Sequence, residues 1–341
     1  MVVRRYGPPE VFESQQVPDL QPKPGEVLIR VKAIGVNFAD LLQRMGVYPG
    51  VPKPPFVPGM EIAGVVERTA EGGRPSDGPP LRPGEAVAAL SGLNAYAEWV
   101  AVPAHQAYRL PAGMPFDDAA AMPVNYLTAY HSIVTMGNLQ PGDRILIHGA
   151  AGGVGTAAVQ VAKARGLVTF GTAGGAKQEY LRKMGVDHPI DHGKTDFVQA
   201  VRKFAPDGIE MAMDPIGGRS FARSRHCLGP TGRLVIFGFS AAVGSDGKRS
   251  WRKSLAALAQ TPFFHPLKLM GENIAVIGVS LGTLHSRGAL LQRELEEIFR
   301  LYAAGKIKPV IGKAFPLAQA AAAHQHVQER KNLGKVILTV K

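Results

Sequence analysis

Four glycines, Gly149, Gly152, Gly153 and Gly155, stand between an aliphatic run, Ile145-Leu146-Ile147, and a stretch in which Val154, Ala158, Val159 and Ala162 recur at helical spacing. That succession predicts a buried strand, a tight turn from Gly149 to Gly155, and an apolar helix after Gly155. Glycine lets the backbone turn sharply and come close to an anion, whose charge is met by the free N–H groups at the helix start. A dinucleotide pyrophosphate is the ligand such a turn fits. An ordinary strand-to-helix turn is the plain alternative; the strand before it and the helix after it favour the ligand site.

The end of the following strand selects between dinucleotides. Val168-Thr-Phe-Gly-Thr-Ala-Gly174 reads as that strand, and an acid near its end would bond the ribose 2′-hydroxyl of NAD. None is there. Thr172, Ala173, Gly174 and Gly175 lead instead to Lys177, a cation suited to a 2′-phosphate, so NADPH is the expected cofactor and NADH the alternative. A solvated lysine at a helix start is the plain reading of Lys177, and the missing acid carries more of the argument.

These residues need two domains to hold them. The chain has 341 residues, 45% hydrophobic and 19% charged, with no apolar run near the length that spans a bilayer. Up to about residue 122 it is rich in Pro, Gly and short alternating strands, at Val27–Ala33, Ile62–Glu67, Ala86–Leu90 and Ala97–Val102, as in a β-barrel. From Phe116 helices alternate with strands, at Val186–Asp191, Ile209–Asp214, Arg233–Phe237 and Asn273–Ser280, as in a parallel sheet. A helix near Gly288–Ala304 and a strand at Lys335–Val340 return to the first domain. The expected class is α/β, with 1–122 and 283–341 in one domain and 123–282 in the other.

A single cysteine, Cys227, excludes an internal disulfide framework and any site of several thiolates, so structural zinc is excluded. Ten histidines leave a His-and-carboxylate zinc site open by count, but no HExxH-like spacing supports one. The net charge of +12 favours polyanions, yet the positive charge is spread along the chain apart from Lys248, Arg249, Arg252 and Lys253, and no nucleic-acid module accompanies it. The N-terminal MVVRRYGPPEVF lacks the apolar core of a signal peptide, so a cytoplasmic protein is expected.

The strings AIGVNFADLLQRMGVYPG, PPFVPGMEIAGVV, NYLTAYHSIVTMGNLQPGDRILIHGAAGGVGTAAVQVA, HPIDH, MDPIGG and KNLGKVIL carry a family resemblance over nearly the whole chain. It resembles the zinc-free quinone oxidoreductase (zeta-crystallin-like) branch of the medium-chain dehydrogenase/reductase superfamily, and within it the vesicle amine transport protein type. The resemblance implies a GroES-like β-barrel catalytic domain and a Rossmann NADP-binding domain with a doubly wound parallel sheet. Zinc-dependent relatives have His before the Glu of Gly59-Met60-Glu61 and Cys in place of Asn37, so no zinc is expected. Without a Lewis acid such an enzyme suits an already polarised acceptor.

The implied activity is NADPH-dependent hydride transfer to a quinone, enone or other activated C=C bond, followed by protonation of the enolate. Enoyl-CoA reduction, or a non-catalytic RNA- or membrane-associated role, are the alternatives. By resemblance Asn37, Asn125 and Thr128 line the nicotinamide side, with Asp40 close by in the same motif. Tyr48 orients substrate or relays a proton, or else packs in the cleft. Gly152, Gly153, Val154 and Gly155 meet the pyrophosphate, Thr172 and Lys177 the adenosine end, and Phe237, Gly238, Phe239 and Asn332 lie near the dinucleotide. His192 stands where the family has Tyr, and Phe56 replaces a tyrosine of some quinone reductases, leaving one hydroxyl fewer in the cleft. The stretch Ser245–Gly271 reads as an amphipathic helix over the cleft or against a partner, or as an apolar slot whose basic mouth suits an acyl-CoA. A homodimer is expected; nucleic acid and membrane are not expected partners.

Overall fold

The computed structural model describes residues 1–242 and 251–341, with side chains left undescribed at 242, 251–254 and 285. The chain divides into two compact units, and it passes from one to the other between Leu127 and Thr128, inside the helix Pro123–Tyr130, and back between Ser280 and Leu281.

The first unit opens with β1 (Val2–Val3) and β2 (Phe12–Glu13), paired antiparallel. Then come β3 (Glu26–Val36), β4 (Glu61–Thr69), β5 (Ala86–Leu90), β6 (Trp99–Pro103) and β7 (Ala107–Arg109). β3 is the spine: β4, β6 and a later strand all pair with it, so both its edges are hydrogen-bonded, and all its residues but Glu26, Arg30 and Lys32 are buried. The register sets Gly35 of β3 opposite Glu61 of β4. A methyl group on Gly35 would lie 2.4 Å from Glu61 Oε1, so only glycine lets that carboxylate close against the strand.

The second unit holds β8 (Arg144–Ile147), β9 (Val168–Ala173), β10 (His188–Asp191), β11 (Ile209–Asp214), β12 (Leu228–Ile236) and β13 (Ala275–Gly278), all parallel in the order β10-β9-β8-β11-β12-β13. The order reverses between β8 and β11, and a crevice outside the strand C-termini at such a switch point is where this architecture takes ligands. Leu146, Phe170, Val201, Ile209, Cys227 and Leu234 are core residues beside the sheet. Among the described residues β13 pairs with β12 alone, and no strand lies on its other edge.

Two strands complete the first unit, β14 (Ile311–Pro316) and β15 (Lys335–Thr339), giving the order β14-β15-β3-β4-β5-β7. β15 runs antiparallel to β3 with Val336 opposite Val36 and Ile337 opposite Gly35, which puts Lys335 beside the residue that follows β3, Asn37. The expected α/β class, with a GroES-like unit and a Rossmann-type parallel sheet, is the architecture observed.

Two expectations need correction. The helix after the glycine turn starts at Gly153 with Gly152 as its cap, three residues earlier than expected, because the turn closes on Gly149 and frees Gly153–Gly155 to enter the helix. In place of one amphipathic helix over Ser245–Gly271 there are two short ones, Trp251–Ala259 and Pro266–Glu272. Leu255, Leu258, Leu267 and Met270 on these helices and Phe263 between them are exposed within this chain, Phe263 by 85%. Lys248 and Arg249 of the basic cluster, like Ser245, lie outside the described residues, as do the side chains of Arg252 and Lys253. Among the described residues no helix is long and apolar enough to cross a membrane.

Candidate functional site

In the second unit the glycine turn is built for close approach. Gly149 has φ +63°, Gly152 N–H donates to Gly149 O at 2.9 Å, and Thr156 N–H donates to Gly152 O at 2.8 Å, which starts the helix. A Cβ on Gly155 would stand 2.2 Å from Gly149 O, so this glycine is what allows the helix to press onto the turn. The N–H groups of Gly153, Val154 and Gly155 form the helix's first turn, where no intrahelical acceptor exists, and they face the demand of an anion such as pyrophosphate. The residues present therefore fit a dinucleotide.

Thr172 supports this turn from beneath. It is 2% exposed, its carbonyl accepts from Ala150 N–H at 3.0 Å, and its Oγ1 accepts from Gly149 N–H at 3.3 Å. Its hydroxyl also meets His148 Nδ1 at 3.1 Å, while His148 Nε2 meets Ser224 Oγ at 2.9 Å. Ser224 and Ser220 hydroxyls both donate to Asp214 Oδ2, at 2.7 and 2.6 Å. Since Ser224 spends its proton on Asp214, His148 donates from Nε2 and accepts at Nδ1 from Thr172. Burial holds His148 below the usual imidazole range and keeps it neutral. Thr172 is thus a prop of the turn, buried and with its hydroxyl proton committed to His148.

Other cofactor-side residues fall into place around the strand ends. Lys177 closes the single turn Gly175–Lys177 after β9, and His192 is exposed just past β10. An acid does reach this corner, from the neighbouring strand: Asp191 Oδ2 lies 2.8 Å from where a Cβ on Gly175 would be. The sequence reading sought that acid only along β9. Phe237 N–H donates to Asp214 O at 3.4 Å, Gly238 packs against Pro215, and Phe239 lies over Gly217 with its ring 6.1 Å from that of Phe221. Thr128 is buried at the start of this unit. A cavity of about 350 Å³ opens beside the loops after β11 and β12, lined by Ile216, Gly217, Gly218, Arg219, Ala241 and Gln260 among others, apart from the glycine turn.

The first unit brings Asn37, Asp40, Glu61, Asn125 and Lys335 into one buried cluster. Lys335 Nζ donates to Asn37 Oδ1 at 2.6 Å, to Glu61 Oε1 at 2.5 Å and to Asn125 Oδ1 at 3.4 Å. Its three protons are matched by three oxygens, which is how an ammonium 3% exposed is held. Glu61 Oε1 also accepts from Asn37 Nδ2 at 2.8 Å, and Glu61 Oε2 accepts from Val124 N–H at 2.7 Å, in the first turn of the helix Pro123–Tyr130. Asn37 caps the helix Phe38–Met45, and its N–H donates to Asp40 Oδ2 at 2.8 Å. Both ends of the Asn37 amide are therefore fixed.

Asp40 is fully buried, and burial, ahead of every opposing contact, pushes its carboxyl up to about 7. Tyr48, half-buried on the loop after that helix, is raised by burial and then by the charge of Asp40. Phe56 lies with Val3 and Val11 in a small apolar core, so it is a packing residue of the first unit. Asn332 sits in the β14–β15 connection, where Nδ2 donates to Gly334 O at 3.0 Å.

Tyr96 O–H donates to Asp40 Oδ2 at 3.2 Å and meets His324 Nε2 at 2.8 Å. Glu61, Lys335, Tyr96 and His324 are the site residues that the sequence does not single out. The signal available was a charge at the edge of an otherwise apolar strand, Glu61 before IAGVV and Lys335 before VILTV. It is ambiguous, because solvated charges also flank strands. Zinc does not fit this centre. Met60 and Asn37 occupy the positions where zinc-dependent relatives carry ligands, Asn37 Oδ1 is taken by an ammonium, and the surrounding donors are amide and carboxylate oxygens. No three His, Cys, Asp or Glu side chains converge on a point among the described residues.

Comparison with known proteins agrees with both units. Residues 23–112 match the alcohol dehydrogenase GroES-like domain, and residues 184–338 match the zinc-binding dehydrogenase family. The synaptic vesicle membrane protein VAT-1 homolog of Rattus norvegicus is 39% identical over 345 residues, covering 99% of this chain and 83% of the relative. The quinone oxidoreductase of Homo sapiens is 30% identical over 351 residues, covering 98% and 96%. The crystal structure of Escherichia coli quinone oxidoreductase complexed with NADPH superposes with a TM-score of 0.85 at 29% identity, covering 99% of both chains. With the register that builds the Lys335 cluster and the turn that fits a dinucleotide, these likenesses mean that the chain belongs to the medium-chain dehydrogenase/reductase superfamily, in its quinone oxidoreductase-like branch.

Proposed function

We propose that this chain is an NADPH-dependent, zinc-independent reductase of quinones or of C=C bonds conjugated to a carbonyl. The observation that carries the reading is the buried Lys335 ammonium among Asn37, Glu61 and Asn125, in a cluster that offers hydrogen bonds and fixed charge but neither a His nor a Cys ligand. The E. coli relative solved with NADPH supports the choice of cofactor.

Bound NADPH supplies the hydride, to the electrophilic carbon of the acceptor. The chain supplies placement. Gly153, Val154 and Gly155 N–H groups would hold the pyrophosphate, Thr172 and His148 keep that turn in shape, and Lys177 would supply the cation for a 2′-phosphate. His192, Phe237, Gly238, Phe239, Thr128 and Asn332 are assigned to the cofactor as well. Asn37 and Asn125 present amides whose orientation Lys335 fixes, a preorganised arrangement that spends no free energy on reorientation as charge develops. Tyr48 offers a hydroxyl to the acceptor. The chain works as a homodimer joined through β13, whose open edge a symmetry mate covers.

The test is NADPH oxidation by the purified protein with quinones, enones and 2-enoyl-CoA thioesters in parallel, beside salt-dependent RNA and liposome binding. Turnover with a free quinone or enone supports the reading. Turnover confined to the CoA thioester makes the chain an enoyl-CoA reductase. Binding to RNA or vesicles with no oxidation in any arm assigns a non-catalytic role.

A further inference from the structure

In the sheet of the second unit β9 lies next to β8, the strand that leads into the glycine turn, and the end of such a second strand is where this architecture meets the ribose of the adenosine half. That end reads Ala173-Gly174-Gly175-Ala176-Lys177 and offers no acid of its own. β10 runs parallel to β9 with Asp191 opposite Ala173. Gln178, buried, donates from Nε2 to Ala173 O at 2.9 Å and to Ile190 O at 3.1 Å, and His192 N–H donates to Ala173 O at 3.3 Å. The two strand ends are thereby tied into one corner.

Asp191 is held in that corner with a defined orientation. Its Oδ1 accepts Gly193 N–H at 3.0 Å, and its carbonyl accepts Lys194 N–H at 3.0 Å and Thr195 N–H at 2.9 Å, so the turn after β10 is wrapped on this one residue. Oδ2 is the oxygen turned toward the end of β9: it lies 2.8 Å from where a Cβ on Gly175 would be, against 3.9 Å for Oδ1. The missing side chain of Gly175 is what lets the carboxylate lie against this turn. Lys177, half-buried, ends the same turn, its N–H on Gly174 O at 2.9 Å. An acid and a base therefore flank one short stretch of backbone. The two dinucleotides differ at the ribose by a phosphate of about −1.5 to −2 charge in place of a hydroxyl. A lysine favours the phosphate, whereas a carboxylate accepts from the hydroxyl and repels the phosphate.

We propose that Asp191 is a specificity-determining residue for the adenosine half of the cofactor: its carboxylate accepts a ribose hydroxyl of NADH and opposes the 2′-phosphate of NADPH. The chain then takes both donors, with a preference for NADPH that Lys177 sets and Asp191 narrows. Gly175 is the positioning residue, since a side chain there displaces Oδ2. This rests on the dinucleotide reading above and on no step of the reduction itself.

The experiment measures binding without turnover, by calorimetric titration of the full chain with NADPH, NADH and the fragments 2′,5′-ADP and 5′-AMP, which differ only in the 2′-phosphate. Asp191→Asn keeps the oxygen that accepts Gly193 N–H, so the turn is retained. D191N is expected to weaken NADH and 5′-AMP about tenfold, the difference between a charged and a neutral acceptor, and to tighten NADPH and 2′,5′-ADP about threefold by removing a like charge. Gly175→Ala leaves the charge and moves the carboxylate, so NADH is expected to weaken about threefold or more while NADPH is held or improved. A ratio of NADPH to NADH affinity that D191N leaves unchanged overturns the proposal. If D191N fails to fold, G175A decides in its place: a ratio equal to that of the wild type overturns the proposal. Shifted ratios with no acceptor able to oxidise either cofactor support this role of Asp191 and overturn the reductase reading. Absence of binding by both dinucleotides overturns both.

Discussion

Lys335 Nζ and Asn37 Oδ1 meet at 2.6 Å across 298 residues of sequence, and the pairing follows from strand register alone. Ile337 opposite Gly35 and Val336 opposite Val36 carry the antiparallel ladder to the point where Lys335 and Asn37 face each other, and Gly35 opposite Glu61 delivers the counter-charge. The centre is therefore a consequence of three strands in a fixed alignment, β15, β3 and β4.

Removing the cation should leave a buried carboxylate uncompensated. Lys335→Met is expected to cost about 3–5 kcal/mol of stability, the range for breaking one side of a buried pair. Adding Glu61→Gln should restore much of that loss, since the pair is then neutral on both sides. Urea denaturation of the two single variants and the double variant measures the coupling; additive losses would contradict the pairing.

The burial of Asp40 makes stability depend on pH. Its folded-state pKa of about 7 lies above the ordinary value of 3.8, so between those pH values the folded protein binds a proton that the unfolded chain has released. Stability from this group is fully present below about pH 4, and declines as pH rises toward 7 by about 1.4 kcal/mol per unit. Asp40→Asn abolishes that slope, so its stability relative to wild type should rise steadily from pH 4 to 7. Denaturation midpoints at four pH values check it.

Gly155→Ala drives a methyl group to 2.2 Å from Gly149 O. The helix must back away from the turn, and the expected outcome is at least tenfold weaker NADPH binding by fluorescence titration. Circular dichroism should show a folded protein, with stability lower by about 1–3 kcal/mol from overpacking.

Lys177→Ala tests the cofactor choice. A charge-assisted bond to phosphate is worth about 1.5–3 kcal/mol, so the variant should lose roughly tenfold or more of its affinity for NADPH while NADH binding changes little. Equal affinities of the wild type for the two cofactors would count against the assignment, and Asp191 beside Gly175 would then be the group that reads a ribose hydroxyl.

Assembly is tested at β13. Light scattering should give about twice the 36.3 kDa of the chain at micromolar concentration. Val276→Pro, which removes a ladder donor from that strand, should lower the dimer fraction. A single-chain mass for the wild type would refute the shared-edge dimer.

The local pattern of the sequence determined the elements. The strand at Ile145–Ile147 and the strands at Ala86–Leu90 and Ile209–Asp214 are present as read, and the glycine turn is present with its helix entered at Gly153, because propensity, periodicity and turn chemistry act over a few residues. Asn37 and Asp40 are singled out by the family resemblance alone, and the structure joins them as a helix cap and the third helical residue. Which charges are buried was not legible. Glu61 and Lys335 look like ordinary strand-flanking charges, and Tyr96, His324 and Arg44 carry no shared motif; only pairing between strands far apart in the chain, and the helix Ala320–Gln328 packed beside Phe38–Met45, bring them to Asp40. Desolvation has the same character. The carboxyl of Asp40 is shifted by what surrounds it on every side, and that enclosure is a property of the folded unit, made of contacts whose sequence separations no local pattern records.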